Sequence, residues 1–287
     1  MGQGFELATA VTRVDGGTEP LAGPGDTARF ATAVHDGWDI NGVANGGYVL
    51  AIVGRAMAAA TGRPPLTVTC HFLHPARPGD AEIVVEAVRV GARLVTVTAS
   101  MRQAGHELVR VLATLGTAKD VGVRAMAAGP PELPPFDQCV GPVAEAGEDG
   151  AGAWNPGTDF QPPPLFRQLG VRMRPGDEGF RDGRPSGTAE IAGWFSFGDE
   201  SPIDKIALLL VADAFPPPVF NAGIGPGWVP TVELTVHVRA DPAPGPLRCR
   251  YHSDFVEAGV LSEDAEIWDS RGVLVAQSRQ LALPPRT

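Results

Sequence analysis

The chain has 287 residues, of which 44% are hydrophobic and 20% are charged. This composition is typical of a folded globular protein and excludes a mainly disordered or fibrous chain, and at about 150 residues per domain the length predicts two units or one large one. The 23 Lys and Arg residues against 33 Asp and Glu residues give a net charge of −10, which repels polyphosphate, so we expect no nucleic-acid partner.

The sequence does not indicate a membrane or secreted protein. No stretch reaches the roughly 18 consecutive apolar residues of a spanning helix, since Arg55 interrupts the best candidate, YVLAIVGRAMAAA. The N-terminal MGQGFELATA lacks a basic start before an apolar run. Cys70, Cys139 and Cys249 lie far apart, without the C-x-x-C spacing of zinc or redox sites. We therefore expect a cytoplasmic protein with reduced thiols.

A connector rich in proline and glycine divides the chain. Residues 127–164 include GPPELPPF, GEDGAGAWNPG and QPPP. Proline lacks the backbone donor and glycine is entropically costly, so this stretch is not expected to sustain helix or sheet. The predicted units are therefore 1–126 and 165–287, and the similar order of signals in both indicates an internal duplication.

In the first unit a buried helix precedes four strands. Asn45, Gly46 and Gly47 lead into an alanine-rich apolar run that stops at Gly62 and Pro64. Turn residues then separate the four β-like runs LTVTCHFLH, AEIVVEAVRVG, RLVTVTASMRQ and HELVRVLATLG. This order predicts a helix followed by an antiparallel meander.

The second unit repeats that order. A strand at AEIAGWFSF precedes a helix at DKIALLLVADAF, which Pro216 to Pro218 break, and the four strands TVELTVHVR, LRCRYHSDF, SEDAEIWD and VLVAQSRQLAL follow. Strand alternation places Val232 and Leu234 on a core face and Thr231 and Glu233 on the opposite polar face. We therefore predict an α+β protein of two βαββββ units, each with an antiparallel sheet wrapped around a central helix.

The motifs GWDINGVANGGYVLA, HFLHPARPGD, ALLLVADAF, PTVELTVHVR and LVAQSRQLALP, in this order, resemble the type II acyl-CoA thioesterase (TesB-like) family, whose fold is a double hotdog. The resemblance covers nearly the whole chain outside the connector. It implies a catalytic set of Asp213, Thr231 and Gln280. The family's last strand continues differently after its Gln, so Gln277 stays an alternative to Gln280.

The same residues suit the hydrolysis of a thioester. The reaction needs an oriented water, an acceptor for its proton and donors for the developing oxyanion. Asp213 could accept the proton, while Thr231 and Gln280 hold the water. Glycine lets a ligand approach the free N–H groups of a helix start, so Asn45, Gly46 and Gly47 are the candidate oxyanion site.

Plainer interpretations remain open. Asp213 could lie on the exposed rim of the helix, and Asn45-Gly46-Gly47 could be only a turn with a helix cap. Aligning the two last strands sets Thr114 opposite Gln280, and aligning the helices sets Arg55 near Asp213. Only the second unit keeps the catalytic side chains in that alignment, which predicts one catalytic centre per chain.

The expected function is hydrolysis of an acyl-CoA by direct attack of water, without metal or organic cofactor. One alternative is a non-catalytic acyl-CoA-binding protein. Another is a hotdog enoyl-CoA hydratase or dehydratase, which the absence of a His after Asp39 disfavours. Candidates for the CoA phosphates are arginines of the first sheet, namely Arg77, Arg89, Arg93 and Arg102. Exposed sheet edges lead us to expect a homo-oligomer.

Overall fold

A computed structural model describes residues 4–118, 122, 128–141 and 163–285. We refer to 4–118 as the first half and to 163–285 as the second half. One 13-stranded sheet, antiparallel in every strand pair, runs through both halves, and a separate two-stranded hairpin lies in the first. Among the described residues, no helix is both long and apolar enough to cross a membrane.

The elements follow the chain in two similar series. Those of the first half are helices α1 (Phe5–Ala8) and α2 (Gly46–Thr61) and strands β1 (Val11–Arg13), β2 (Thr27–Val34), β3 (Asp39–Ile40), β4 (Val43–Ala44), β5 (Pro65–Phe72), β6 (Gly79–Val90), β7 (Leu94–Gln103) and β8 (His106–Gly116). Those of the second half are helix α3 (Ala207–Val211) and strands β9 (Arg172–Met173), β10 (Glu190–Phe195), β11 (Thr231–Val238), β12 (Leu247–His252), β13 (Val256–Glu257), β14 (Val260–Trp268) and β15 (Leu274–Ala282). Short 3-10 helices lie at Phe136–Gln138, Pro164–Arg167, Gly179–Asp182 and Pro218–Ala222.

Helix α2 begins and ends where the sequence predicts. The side chain of Asn45 caps it by accepting a hydrogen bond from the Tyr48 N–H at 2.9 Å. Gly62, with φ of 65°, ends it in the left-handed conformation that glycine adopts without steric cost. Twelve of its 16 residues are buried, because the sheet and helix α3 cover it on most sides. The predicted buried helix is thereby confirmed.

Helix α3 is much shorter than the predicted helix over DKIALLLVADAF. It covers Ala207–Val211, and the chain then tightens, since Asp213 N donates to Leu210 O and Ala214 N to Val211 O, three residues back. Pro216, Pro217 and Pro218 supply no N–H to continue the ladder. The prolines therefore set the end of the helix, and Asp213 falls just beyond its last turn.

The two halves repeat one strand order on either side of a shared seam between β5 and β11. Outward from the seam the first half runs β5-β8-β7-β6-β2-β1, and the second runs β11-β15-β14-β12-β10-β9. Each half carries one short edge strand, β1 or β9, beyond the predicted βαββββ order. The first half also has the β3-β4 hairpin, whose turn residues Asn41 and Gly42 have positive φ.

The register across the seam is symmetric. Leu234 pairs with Cys70 and Val236 with Val68, so each pair is the image of the other when β5 and β11 are exchanged. The pair at the centre is Thr235 and Thr69, whose hydroxyls lie 2.9 Å apart. A local two-fold relation between the halves therefore passes through these two threonines.

Part of the predicted connector is structured. Val140 forms an isolated bridge with Met173, and the Trp194 indole donates to Pro134 O at 2.9 Å. Residues 128–141 thus pack on the second half, because their carbonyls find donors there although their prolines cannot donate. Residues 142–162, and the predicted boundary at 126, lie outside the described residues.

Candidate active site

Two glycines allow α2 to approach α3 closely. Gly47 and Gly54 are two helical turns apart and so share one face of α2. A Cβ at Gly47 would lie 2.7 Å from the Leu210 carbonyl oxygen, and one at Gly54 would overlap the Leu209 side chain. Side chains at these positions would push the helices apart. The glycines therefore bring the start of α2 against the end of α3, where Asp213 lies.

The start of α2 holds the Asp213 carboxylate. Asn45 Nδ2 donates to Asp213 Oδ2 at 3.0 Å and to the Asp213 carbonyl oxygen at 2.9 Å. Gly47 N donates to the same Oδ2 at 2.9 Å. The free N–H groups and the positive end of the helix favour an anion at this place. The structure thus joins three of the predicted site residues, contributed by both halves.

Burial and these donors oppose one another in setting the acidity of Asp213. Burial raises its pKa to about 6, although the hydrogen bonds from Gly47, Asn45 and Gly46 lower it. Asp213 is partly buried rather than on an exposed rim, so the plainer interpretation does not hold. A carboxylate that is mostly ionised at pH 7 yet more basic than usual suits a general base.

The position of Gly47 differs from the one expected of an oxyanion donor. Its N–H already donates to Asp213, so a substrate oxygen would have to displace the carboxylate to use it. Asn45 likewise uses both its side-chain oxygen and nitrogen, on Tyr48 and on Asp213. The geometry therefore favours a role in orienting Asp213 for these two residues. Gly46 lines the cavity beside them.

Thr231 and Gln280 are the second hydrogen-bonded pair. Gln280 Nε2 donates to Thr231 Oγ1 at 3.0 Å. Leu234 of β11 pairs with Gln280, so these two side chains point to the same face of the sheet. Strict alternation along β11 would place Thr231 on the other face, but a bulge between Thr231 and Glu233 shifts the register. A bulge re-aims the side chain that precedes it. It therefore turns Thr231 to the buried face, where Gln280 lies.

Gln277 points elsewhere. Its Oε1 accepts from Arg239 Nε at 2.8 Å. Gln277 and Gln280 are three positions apart along β15, an odd offset that places them on opposite faces. Gln277 does not line the cavity that contains Gln280. The geometry favours Gln280 for the predicted role.

One cavity of about 670 Å³ is lined by both hydrogen-bonded pairs, Asp213 with Asn45 and Thr231 with Gln280. Its walls are mostly aromatic and aliphatic, with side chains from both halves, and include Val49, Phe72, Phe166, Phe215, Phe220 and Trp228. No hydrogen bond between described residues links Asp213 directly to Thr231 or Gln280. The two pairs thus face one shared space.

Glu263 is a further polar group in this cavity, and none of the sequence motifs indicated it. Glu263 is only 5% exposed, and its Oε2 has no hydrogen-bond partner among the described residues. The signal was present in the alternation of β14, where Glu263 shares a face with Leu261, Ala265 and Ile267. An acidic residue in such an apolar row is unusual, because burial disfavours the charged form.

The strand registers of the two halves give a different alignment from the predicted one. β8 pairs with β5 in the register in which β15 pairs with β11, including a shift between Pro65 and Thr67. Matching these registers sets Ala113, not Thr114, at the position of Gln280, and Pro65 at that of Thr231. Arg55 donates to Thr9 Oγ1 at 2.8 Å, and the cavity does not include it.

The candidate arginines divide into two groups. Arg77 Nη1 donates to the carbonyl of Gly42 at 3.0 Å, beside Asn41 and Val43 of the cavity wall. Arg102 lies at the same end of the sheet, bonded to Gly105 O. Arg89 and Arg93 lie at the opposite end of β6 and β7. Of these four arginines, Arg77 is the one bonded next to the cavity wall.

Comparisons with known proteins agree with this architecture. Residues 34–116 match the family model described as the acyl-CoA thioesterase N-terminal domain, and residues 139–283 match the acyl-CoA thioesterase C-terminal domain. The second match begins within the stretch predicted as connector. An uncharacterized protein of Mycobacterium tuberculosis is 29% identical over 270 residues, which are 89% of this chain and 91% of that protein.

Two solved structures are similar along nearly the whole chain. A putative thioesterase II from Thermobifida fusca is 30% identical, with a TM-score of 0.80 over 98% of this chain and 97% of the other. A protein of unknown function with a hotdog fold, from Alicyclobacillus acidocaldarius, is 22% identical with a TM-score of 0.80 over 100% of both chains. By its two matched domains and this likeness, the chain belongs to the type II, TesB-like family of acyl-CoA thioesterases and has the hotdog fold.

Proposed function

We propose that this protein hydrolyses an acyl-CoA thioester to the free carboxylic acid and CoA by direct attack of water. One observation carries the proposal. The Asp213 carboxylate, held by Asn45 and Gly47 of the first half, lines the same apolar cavity as the Gln280–Thr231 pair of the second half.

The attacking water lies between these two groups. Thr231 Oγ accepts from Gln280, which leaves the Thr231 O–H to donate to the water oxygen. Asn45 and Gly47 both donate to Oδ2 of Asp213, so Oδ1 is the atom that takes the proton of the water. The water oxygen forms a bond to the thioester carbon, and the carbonyl oxygen becomes negative.

Collapse of the tetrahedral intermediate breaks the C–S bond and releases the thiolate of CoA. The proton held by Asp213 then passes to the thiolate, which restores the carboxylate for the next cycle. The step consumes one water and needs no oxidant or covalent enzyme intermediate. A pKa of about 6 suits a group that must accept and return a proton near neutral pH.

The apolar walls of the cavity support an acyl chain as the group bound. Phe72, Phe215, Phe220 and Trp228 line it. Each buried methylene of a chain contributes about 0.8 kcal/mol to binding. Arg77, beside the cavity wall, is our candidate for the phosphates of CoA.

We also propose that the two halves are two hotdog units derived from one βαββββ arrangement. The repeated strand order and the symmetric seam support this origin. Strand β1 ends the sheet in the first half, and its outer edge pairs with no other strand among the described residues, which supports a homo-oligomer in which copies pair.

The experiment is steady-state hydrolysis of acyl-CoA thioesters of increasing chain length, with a thiol reagent to detect CoA. We expect thiol release from at least part of this series, saturable in substrate and dependent on Asp213. Binding of acyl-CoA without thiol release from any member would contradict hydrolysis and identify a non-catalytic binding protein. Asp39 accepts from Gly37 N and Gly42 N and does not line the cavity, which disfavours it as the acid of a hydratase.

A further inference from the structure

Glu263 lies beside Gln280 on the buried face of the sheet. β14 and β15 pair with Glu263 directly opposite Gln280. Residues directly opposite in antiparallel strands point to the same face, with Cβ atoms about 4.5–5.5 Å apart. Both side chains are almost fully buried, at 5% and 4% exposed, and both line the cavity. Their polar ends therefore share one small space.

This pair contains two buried oxygens without partners. Among the described residues, Glu263 Oε2 and Gln280 Oε1 accept no hydrogen bond, whereas Gln280 Nε2 is engaged by Thr231. A buried acceptor left unsatisfied is costly, because it has lost its hydrogen bonds to water and gained none in return. A protonated carboxyl has one O–H donor, and an amide oxygen is the acceptor that it needs. One proton on Glu263 satisfies both groups.

We propose that Glu263 is a positioning residue, which donates a hydrogen bond from its protonated carboxyl to Gln280 Oε1 and thereby directs Gln280 Nε2 at Thr231. The inference rests on the proposed function, in which Thr231 holds the attacking water. Without this bond the Gln280 amide can rotate and exchange its oxygen and nitrogen. Thr231 then loses the donor that fixes its hydroxyl.

The charges around Glu263 favour its protonated form. Burial raises the pKa of Glu263 well above its usual value, and Asp213 and Asp264 raise it further. Tyr251 of β12 faces both Glu263 and Asp213, and burial keeps its hydroxyl neutral. Arg279 is bound to Asp264 through two nitrogens, at 2.6 and 2.8 Å. The negative neighbours thus disfavour a second carboxylate here.

Two substitutions separate positioning from packing. Glu263→Met keeps the length of the side chain and removes its donor, so we expect kcat to fall about 10- to 100-fold with KM nearly unchanged, because the water is misplaced rather than the substrate. Glu263→Gln keeps a donor and should recover most of this loss. In the wild type, deprotonation of Glu263 should lower kcat at high pH, and Glu263→Gln should not show this decline. Glu266→Gln, on the other face of β14, is the matched control.

Infrared spectroscopy at pH 8 tests the proton without turnover. Asp213 is ionised at this pH, so we expect the carbonyl band of a protonated carboxylic acid in the wild type, absent from Glu263→Gln and shifted in Gln280→Leu. The inference is overturned by a missing band, by an unshifted one, by Glu263→Met with wild-type kcat, or by Glu263→Gln as impaired as Glu263→Met. A wild type that hydrolyses no acyl-CoA defeats the proposed function alone, because the infrared result still decides the Glu263–Gln280 bond.

Discussion

The two halves of the sheet contain the same backbone irregularity, but their side chains differ. In the second half a register shift between Thr231 and Glu233 turns Thr231 toward Gln280. In the first half the corresponding shift lies between Pro65 and Thr67. There the position of Gln280 is Ala113, which is 2% exposed and packs in the core.

This difference separates the fold from its chemistry. The bulge belongs to the strand arrangement, because it occurs in both halves whether or not polar groups follow it. A proline is tolerated at a bulge, where no ladder donor is needed. Only the second half fills the two positions with a hydroxyl and an amide. The comparison therefore supports one catalytic centre per chain.

Replacement of Asp213, which lies in the second half, should have the largest effect on activity. Asp213→Asn keeps the shape of the side chain but removes the proton acceptor, and we expect kcat/KM to fall about 10²- to 10⁴-fold. Hydrolysis of the best acyl-CoA substrate measures this. Asp241→Asn, a surface carboxylate paired with Lys205, is the control and should retain activity. Asp213→Asn within threefold of the wild type would contradict the assignment.

The pH dependence of stability is a second difference between the two halves, because the first half has no buried carboxylate that corresponds to Asp213. The folded pKa of Asp213, about 6, is above its ordinary 3.8, so the folded state binds this proton more tightly. The stabilisation is complete below pH 3.8 and is lost as pH rises through 6. Relative to Asp213→Asn, the wild type should lose up to about 3 kcal/mol of unfolding free energy between pH 4 and pH 7.

Urea denaturation of both proteins at several pH values measures this difference. Activity should move in the opposite direction, since kcat/KM rises with pH as Asp213 ionises. A constant difference in stability between the two proteins would show that the pKa of Asp213 is not raised by folding.

Gln280→Ala makes the second half resemble the first at one position. We expect kcat/KM to fall about 10- to 100-fold, because Thr231 loses its donor and the water its orientation. Gln277→Ala is the matched control, since its side chain bonds Arg239 outside the cavity. If Gln277→Ala were the more damaging change, the choice between the two glutamines would be reversed.

The reverse change should affect activity least. Ala113→Gln places an amide in the packed core of the first half, so it should lower the unfolding free energy by about 1–3 kcal/mol, while kcat/KM of the folded protein stays within about twofold. Thermal denaturation and acyl-CoA hydrolysis measure the two effects. A large loss of kcat/KM would show that the first half takes part in the chemistry beyond holding Asp213.

The elements with strong local signals could be predicted from the sequence. The cap and stop of α2, and the strands β5 to β8, follow from Asn45, Gly62 and regular alternation. The length of α3 could not be predicted, because the apolar run does not itself mark where the helix ends. Its end depends on Asp213 and the following prolines. Strand β1, with three residues, is too short to show a pattern in the sequence and forms by pairing with β2.

The site was predictable in its members but less so in its contacts. The resemblance indicated Asp213, Thr231 and Gln280, and all three line the cavity. The bonds from Asn45 and Gly47 to Asp213 depend on how closely α2 and α3 pack, which spacing within one segment does not reveal. The one sequence signal for Glu263 was an acidic residue on an otherwise apolar face of β14.

Because the start of α2 contacts Asp213, the pKa of Asp213 depends on how the two halves pack against each other. Any motion that withdraws Gly47 and Asn45 removes the donors that lower the pKa of Asp213 and also reduces the burial that raises it, so such a motion changes the balance that sets this pKa. Titration of this one carboxyl therefore reports the assembly of the molecule as a whole.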